Sequence, residues 1–231
     1  MKAIILAAGR GSRMQSETAE KPKCLVRFRG RSLIEHTIEK LLDHFDSNDI
    51  FIVTGYKSDS LSNLGIQQIF NPNWETTNIM GSLMIASEVL QNDNTLVIYS
   101  DIFFEEQAIR CALNGASPSI LSVASWQSVW GARFEEPLDD LENFKSEEGV
   151  VTLIGGRAQS LQDIDGQFAG IYSLTPDSWN VLKTIPRLQN LDTTTALNLA
   201  INAGVKFFEI PYTGYWAEFD SISDLLSQEI S

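Results

Sequence analysis

The 231-residue chain is 43% hydrophobic and 20% charged, enough to bury one sizeable core without a stapling disulfide or a structural metal. Its formal charge of −13 argues against a protein that coats nucleic acid or lies on a membrane surface, since both need a cationic footprint. The two cysteines, Cys24 and Cys111, stand far apart and outside any C-x-x-C pair, so buried free thiols are expected rather than a disulfide framework or a zinc site.

In chain order, residues 2–8 read as a buried strand reached without a signal-peptide pattern. No later apolar run approaches membrane-spanning length, so a cytoplasmic protein with no membrane association is expected. A strand over residues 23–28 would put Lys23, Leu25 and Arg27 on one face and Cys24, Val26 and Phe28 on the other. Ser32-Leu-Ile-Glu35 spells a capping box, opening a helix with apolar positions Leu33, Ile34, Ile38, Leu41, Leu42 and Phe45. His36 and His44 fall on this helix, where solvated or packing roles suffice. Strands follow at Ile50–Thr54, closed by Gly55, and at 66–70, then a helix at 79–90 and an apolar strand at Thr95–Tyr99 leading to Asp101. After a helix from Glu105, strands are expected near Ser119–Val123, near 150–154 and near Gln167–Leu174. Helices at 176–185 and 193–203, a last strand at 205–210 and a helix after Ser221 complete the chain. This alternation predicts a layered α/β fold with a largely parallel sheet, as one domain over residues 1–231.

Directly after the first strand, residues 5–14 read ILAAGRGSRM. A dinucleotide fingerprint needs glycine where Met14 stands, and no window supplies the G-x-x-x-x-G-K of a P-loop. The physics those motifs share remains: small residues let backbone N–H groups approach a phosphate, and a following helix adds partial positive charge. Taken alone, the spelling suits a plain strand-to-helix turn with surface arginines equally well. Arg10, Arg13, Lys21, Lys23, Arg27, Arg29 and Arg31 crowd this stretch, seven of the 17 basic residues, so an anion has local compensation in an acidic chain. In such sheets ligands sit beyond the carboxyl ends of the strands. Asp101 and Asp220 both follow apolar stretches; each alone is explained by emergence into solvent or by a helix N-terminus. Facing a phosphate loop together, they would form a site for Mg²⁺, which takes carboxylate and phosphate oxygens and keeps several waters.

The run Leu6-Ala-Ala-Gly-Arg-Gly-Ser-Arg-Met14, followed by Lys21-Pro-Lys-Cys24, resembles the signature of nucleotidyltransferases that join a nucleoside monophosphate to a phosphorylated small molecule. NWETTNIMGSL, YSDIFFEE, WQSVWGARFEEPLDDLENF, GQFAGIYSLTPDSW and GYWAEFDSISDL resemble one branch of it along nearly the whole chain. That branch comprises the CTP-dependent cytidylyltransferases acting on phosphonates, phosphocholine and phosphoramidates such as phosphoglutamine. The resemblance implies a Rossmann-like α/β/α sandwich with a largely parallel mixed central sheet, of the nucleotide-diphospho-sugar transferase type. It also implies transfer of CMP from CTP to a phosphonate or phosphate group, with release of pyrophosphate.

Residue by residue, the resemblance implies that Leu6, Ala7, Ala8 and Gly9 approach the base and ribose, and that Gly11, Ser12 and Arg13 wrap the β- and γ-phosphates. Lys23 would contact the α-phosphate, Arg13 and Lys23 being the catalytic charges. Asp101 and Asp220 would hold Mg²⁺, and Asp101 would also serve nucleotide binding. Thr77, Asn78 and Ser82 stand where the base is recognised; an Asn-containing turn capping the helix with Ser82 explains them equally. Trp126, Arg133 and Glu218 are the acceptor candidates. Trp74, Trp126, Trp130, Tyr172 and Trp216 offer material for an aromatic cage around a trimethylammonium group. Arg133, Glu135, Glu136, Asp139, Asp140 and Glu142 offer charges for an amine or carboxylate, most of those acids being expected as solvated surface. Two other readings stay open: a sugar-1-phosphate nucleotidyltransferase using UTP, GTP or dTTP, and a non-catalytic module that senses CTP. Against the first, the loop after Gly11 lacks a proline-rich extension and no glycine-rich loop precedes the helix at Ile79. Members of the family often dimerise, so a homodimer stands beside the monomer as an expectation.

Overall fold

The computed structural model describes residues 1–229. Its strands are β1 (Lys2–Ala7), β2 (Arg27–Phe28), β3 (Arg31–Ser32), β4 (Ile50–Thr54), β5 (Gln67–Phe70), β6 (Thr95–Tyr99) and β7 (Ile102–Phe104) in the first half. The second half adds β8 (Ser119–Val123), β9 (Glu142–Glu147), β10 (Val150–Arg157), β11 (Gln167–Leu174), β12 (Phe208–Tyr212) and β13 (Trp216–Glu218). The helices are α1 (Leu33–Leu42), α2 (Ile79–Ile85), α3 (Ser87–Asn92), α4 (Gln107–Asn114), α5 (Trp126–Arg133), α6 (Pro176–Leu182), α7 (Thr193–Asn202) and α8 (Ile222–Glu229).

Nine strands form one sheet in the order β5-β4-β1-β6-β11-β8-β12-β10-β9. Strands β11 and β10 run against the other seven, so the sheet is mixed but mostly of one direction. The layering follows from the period-2 alternation of the strands. Along β1 and the residue after it, Ala3, Ile5 and Ala7 join a core with side chains of α1, α4 and α5, whereas Ile4, Leu6 and Ala8 join one with α2, α3, α6 and α7. The result is an α/β/α sandwich of Rossmann type, as expected.

A third, smaller core of Met14, Val26, Phe28, Leu33, Phe103, Ala217 and Phe219 ties the β2–β3 hairpin to the antiparallel pair β7–β13. That pair positions the site. Glu218 pairs with Ile102, and just beyond it the Phe219 N–H donates to the Asp101 carbonyl at 3.0 Å, so the stretches bearing Asp101 and Asp220 lie side by side.

Several boundaries differ from the sequence pattern. Residues 23–28 are not one strand: Lys23–Leu25 form a 3₁₀ turn after Pro22, whose φ of −66° suits it to open such a turn, and only Arg27–Phe28 is extended. The turn buries both Lys23 and Cys24, which a strand would have sent to opposite faces. The helix expected at 79–90 breaks at Ala86 into α2 and α3. The strand expected at 205–210 lies at Phe208–Tyr212 and is not the last, because β13 follows. Part of the segment expected as solvated acids is edge strand β9, in which Phe144 alone is fully buried, so its polar residues conceal the alternation. Leu42 is exposed, His44 lies just past α1, and Cys24 is buried whereas Cys111 is half-buried.

The capping box forms as spelled. Glu35 Oε2 accepts from the Ser32 N–H at 2.8 Å and from Ser32 Oγ at 2.6 Å, while the Glu35 N–H donates to Ser32 Oγ at 3.4 Å. Replacing Ser32 by alanine is expected to lower unfolding stability by about 1 kcal/mol in urea titration, and Ser32→Asp to lower it less.

Candidate active site

A cleft of about 460 Å³ opens at the carboxyl ends of β1 and β6. The loop after β1 lines it with Ala8, Gly9, Gly11, Ser12 and Arg13, and the turn after β6 with Ser100 and Asp101. The opposite wall comes from Trp74 and from the residues that open α2.

Its centre is a cluster of charges. Lys23 Nζ donates to Asp101 Oδ2 at 2.7 Å and to Asp220 Oδ1 at 2.5 Å, and Arg13 reaches Asp220 Oδ2 at 3.3 Å. The Lys23 side chain is only 10% exposed, whereas that of Arg13 is 77% exposed. Burial works against the Lys23 ammonium, but Asp101 and Asp220 outweigh it and raise its pKa. Burial likewise opposes the Asp220 carboxylate, and Lys23 outweighs it, so that pKa falls. Gly11 makes this arrangement possible. Its φ of +71° is left-handed, and a Cβ there would lie 2.6 Å from Lys23 Cβ, so the lysine stem runs directly under the glycine loop.

Two carboxylates converging on one ammonium are a donor set suited to a hard cation. Among the described residues no group of three or more His, Cys, Asp or Glu could hold a metal unaided. A cation here would therefore draw further oxygens from a ligand such as a polyphosphate and from water, which is the usual habit of Mg²⁺.

On the α2 side, Asn78 both lines the cleft and caps the helix, its Oδ1 accepting from the Ile79 N–H at 2.7 Å. Thr77 and Ser82 line the cleft as well. Both are held by Asn71, whose Nδ2 donates to Ser82 Oγ at 3.1 Å and to Thr77 Oγ1 at 3.3 Å. Asn71 is fully buried just past β5 and carries no motif, so the sequence did not mark it. Trp74 packs close because Gly55 lacks a Cβ, which would otherwise lie 2.5 Å from Trp74 Cβ. Tyr99, Ser100 and Asp192 also line the cleft without having been singled out. For Tyr99 and Ser100, their place at the end of β6 was the available signal.

The structure thus brings together Leu6, Ala8, Gly9, Gly11, Ser12, Arg13, Lys23, Thr77, Asn78, Ser82, Asp101 and Asp220 around one cavity. Ala7, Trp126, Arg133 and Glu218 stand outside its lining. Ala7 points into the other core, and Trp126 is a buried residue of that same core. Arg133 is claimed by Glu218 Oε2 at 3.3 Å and by Asp224 Oδ1 at 3.1 Å. Burial first, then Asp220 and Asp101, pushes the Glu218 carboxyl up to about 8. The five candidate aromatics do not converge into a cage: of them Trp74 alone reaches the cleft, Tyr172 is buried, and Trp130 stacks on Trp216 with centroids 5.5 Å apart. Glu135, Glu136, Asp139 and Asp140 are exposed, and Glu142 is half-buried.

Residues 3–168 match the model of the MobA-like NTP transferase domain. The chain belongs to that family. Among its relatives in this NTP transferase group, the CTP:phosphoglutamine cytidylyltransferase of Campylobacter jejuni is 27% identical over 97% of this chain and 98% of its own. The choline-phosphate cytidylyltransferase of Streptococcus pneumoniae is 37% identical over 48% of each chain. The solved inositol-1-phosphate CTP transferase from T. maritima superposes with a TM-score of 0.79 at 19% identity, covering 97% of this chain and 91% of that one. The fold is that of the nucleotide-diphospho-sugar transferases.

Gly11→Ala is expected to cost about 1–3 kcal/mol for an alanine forced into the left-handed region, plus the displacement of Lys23. In a double-mutant cycle followed by urea unfolding, Gly11→Ala with Lys23→Gly should cost clearly less than the two single changes summed, because the contact with the lysine Cβ disappears along with the rest of its stem. Strict additivity would mean that the loop does not bear on the lysine.

Proposed function

We propose that the protein is a CTP-dependent cytidylyltransferase, a single nucleotidyltransferase domain over residues 1–231 that transfers CMP to a phosphate or phosphonate oxygen of a small metabolite. The observation that carries this reading is the Lys23–Asp101–Asp220 cluster beneath the glycine loop. The likeness to CTP-using relatives supports the choice of base, and two of those relatives are named for phosphoglutamine and choline phosphate.

The acceptor oxygen is already ionised near neutral pH, so it attacks the α-phosphorus in line without a protein base. A new P–O bond forms as the bond to the oxygen bridging to the β-phosphorus breaks, and pyrophosphate departs with that electron pair. The residues of the cleft have to align the reactants and neutralise charge, and removing one such contact typically costs about 100-fold or more in rate. In this reading Gly11, Ser12 and Arg13 hold the β- and γ-phosphates and Lys23 faces the α-phosphate, while Leu6, Ala8 and Gly9 border the nucleoside. Thr77, Asn78 and Ser82 contact cytosine. Asp101 and Asp220 would hold Mg²⁺, which when bound neutralises phosphate charge and orients the triphosphate. In this reading the acceptor lies toward Glu218, Arg133 and Trp126. The two histidines stay out of the chemistry: His36 Nε2 lies 2.8 Å from the Phe28 carbonyl and His44 Nε2 2.7 Å from Glu106 Oε1.

Pyrophosphate release tests the reading. With Mg²⁺ and CTP, one of 2-aminoethylphosphonate, 2-hydroxyethylphosphonate, phosphocholine and phosphoglutamine should support turnover. UTP should substitute poorly, and Asp101→Ala should lower the rate by about 100-fold or more. Turnover only with a sugar 1-phosphate would replace the acceptor class. CTP binding without turnover on any acceptor would make the protein a nucleotide sensor.

A further inference from the structure

The lysine at the centre of the cleft occupies the place that the cation reading requires. Its ammonium lies within 2.7 Å of one carboxylate and 2.5 Å of the other, so both acids are already engaged by a cation of the chain itself. The acids cannot simply move apart. Asp101 is held where the Phe219 N–H meets its carbonyl beside the β7–β13 ladder. Asp220 is held from the other side, its backbone N–H donating to Asp224 Oδ2 at 3.1 Å. Asp224 is itself fixed by the buried Arg133 at 3.1 Å. The mobile partner is the lysine head, carried on four single bonds, with its stem directly under the loop that would receive a triphosphate.

Such a pair of fixed, partly buried carboxylates cannot lose its counterion without replacement, because two like charges left facing each other are strongly unfavourable. Nor can the ammonium and a divalent cation share the same carboxylate oxygens. We infer that Lys23 is an internal occupant of the cation position, handed over to the phosphates of the incoming nucleotide, so that nucleotide and divalent cation bind with positive coupling and the free protein takes up the cation poorly. This rests on the reading of Asp101 and Asp220 as the cation's ligands. Lys23 then acts in two states: as the stabiliser of the empty site, and as a phosphate contact once the cation has taken its place. The free energy that links the two ligands passes through one side chain, and by reciprocity each ligand tightens the other by the same factor.

The test is binding of Mn²⁺ alone, followed by the electron paramagnetic resonance signal of the free ion and by thermal melting, with no turnover needed. Lys23→Met is expected to bind Mn²⁺ about 10- to 100-fold more tightly than the wild type in the absence of nucleotide. Lys23→Arg, which keeps the charge, should bind it as weakly as the wild type. Without metal Lys23→Met should melt below the wild type, and Mn²⁺ should raise its melting temperature far more than that of the wild type. A second neutral variant, Lys23→Gln, should behave like Lys23→Met and guards against a packing defect particular to methionine. Equal Mn²⁺ affinity in wild type and both neutral variants, with Asp101→Asn weakening all of them, would overturn the occupancy role and leave the carboxylates as ligands. Mn²⁺ affinity unchanged by Asp101→Asn and by Asp220→Asn would instead remove the cation site on which the inference rests.

Discussion

The Lys23 ammonium shared between Asp101 and Asp220 is the contact on which the site depends, and its partners stand 78 and 197 residues away along the chain. Three segments must meet for it to form: the turn after the glycine loop, the end of β6, and the stretch after β13. None can be placed without the sheet. Strand β6 is fixed by its parallel pairing with β1, and β13 by its ladder with β7. The small core of Met14, Val26, Phe28, Phe103 and Phe219 then locks the lysine turn against that ladder. Deleting one partner of such a buried group leaves an uncompensated charge, typically at a cost of about 3–5 kcal/mol, so fold stability and site geometry are the same constraint here.

The charge distribution follows the same logic. A chain of net charge −13 repels a polyanion, so any anion site must be built from local cations. Of the basic residues crowded into the N-terminal stretch, only Arg13 and Lys23 line the cleft. Arg31 pairs with Glu39, Lys21 with Glu17, and Arg29 lies over the rings of Phe28, Phe103 and Tyr215. Arg27 donates to the Gly30 carbonyl. In the proposed reading, two side chains and a set of backbone N–H groups fall short of the charge of a triphosphate, so a divalent cation would supply the remaining counter-charge. No helix among the described residues is long and apolar enough to cross a membrane.

Much of this was legible in the sequence where burial writes a pattern. Ile50–Thr54 and Thr95–Tyr99 have the bounds that their apolar runs and flanking turn residues indicate, strands lie near Ser119–Val123 and Gln167–Leu174 as expected, and the capping box at Ser32 and Glu35 forms as spelled. Asp101 and Asp220 were marked by their place after apolar stretches, and the loop by its glycines. What stayed hidden depends on tertiary partners. Strands β7 and β13 have three residues each, too few to show a period. Edge strand β9 is polar on most of its positions. Asn71 supports the site through its hydrogen bonds to Thr77 and Ser82, and Trp74, marked only as cage material, reaches the cleft through the missing Cβ of Gly55, neither of which any local spelling announces. Asp192 looks like any helix cap and is one, accepting from the Thr195 N–H at 2.7 Å. Lys23 was marked as a phosphate contact, but its role as the counterion of both acids appears only once the chain is folded.

The most direct measurement is a crystal structure of the wild-type protein with CTP and Mg²⁺, read at the three side chains. The expected result is the triphosphate under the loop of residues 9–13, Lys23 Nζ moved from both carboxylates onto a phosphate oxygen, and the metal between Asp101 and Asp220. A nucleotide bound elsewhere, or bound here with Lys23 still bridging the two acids, would contradict the central claim that this lysine and these carboxylates form the reaction centre.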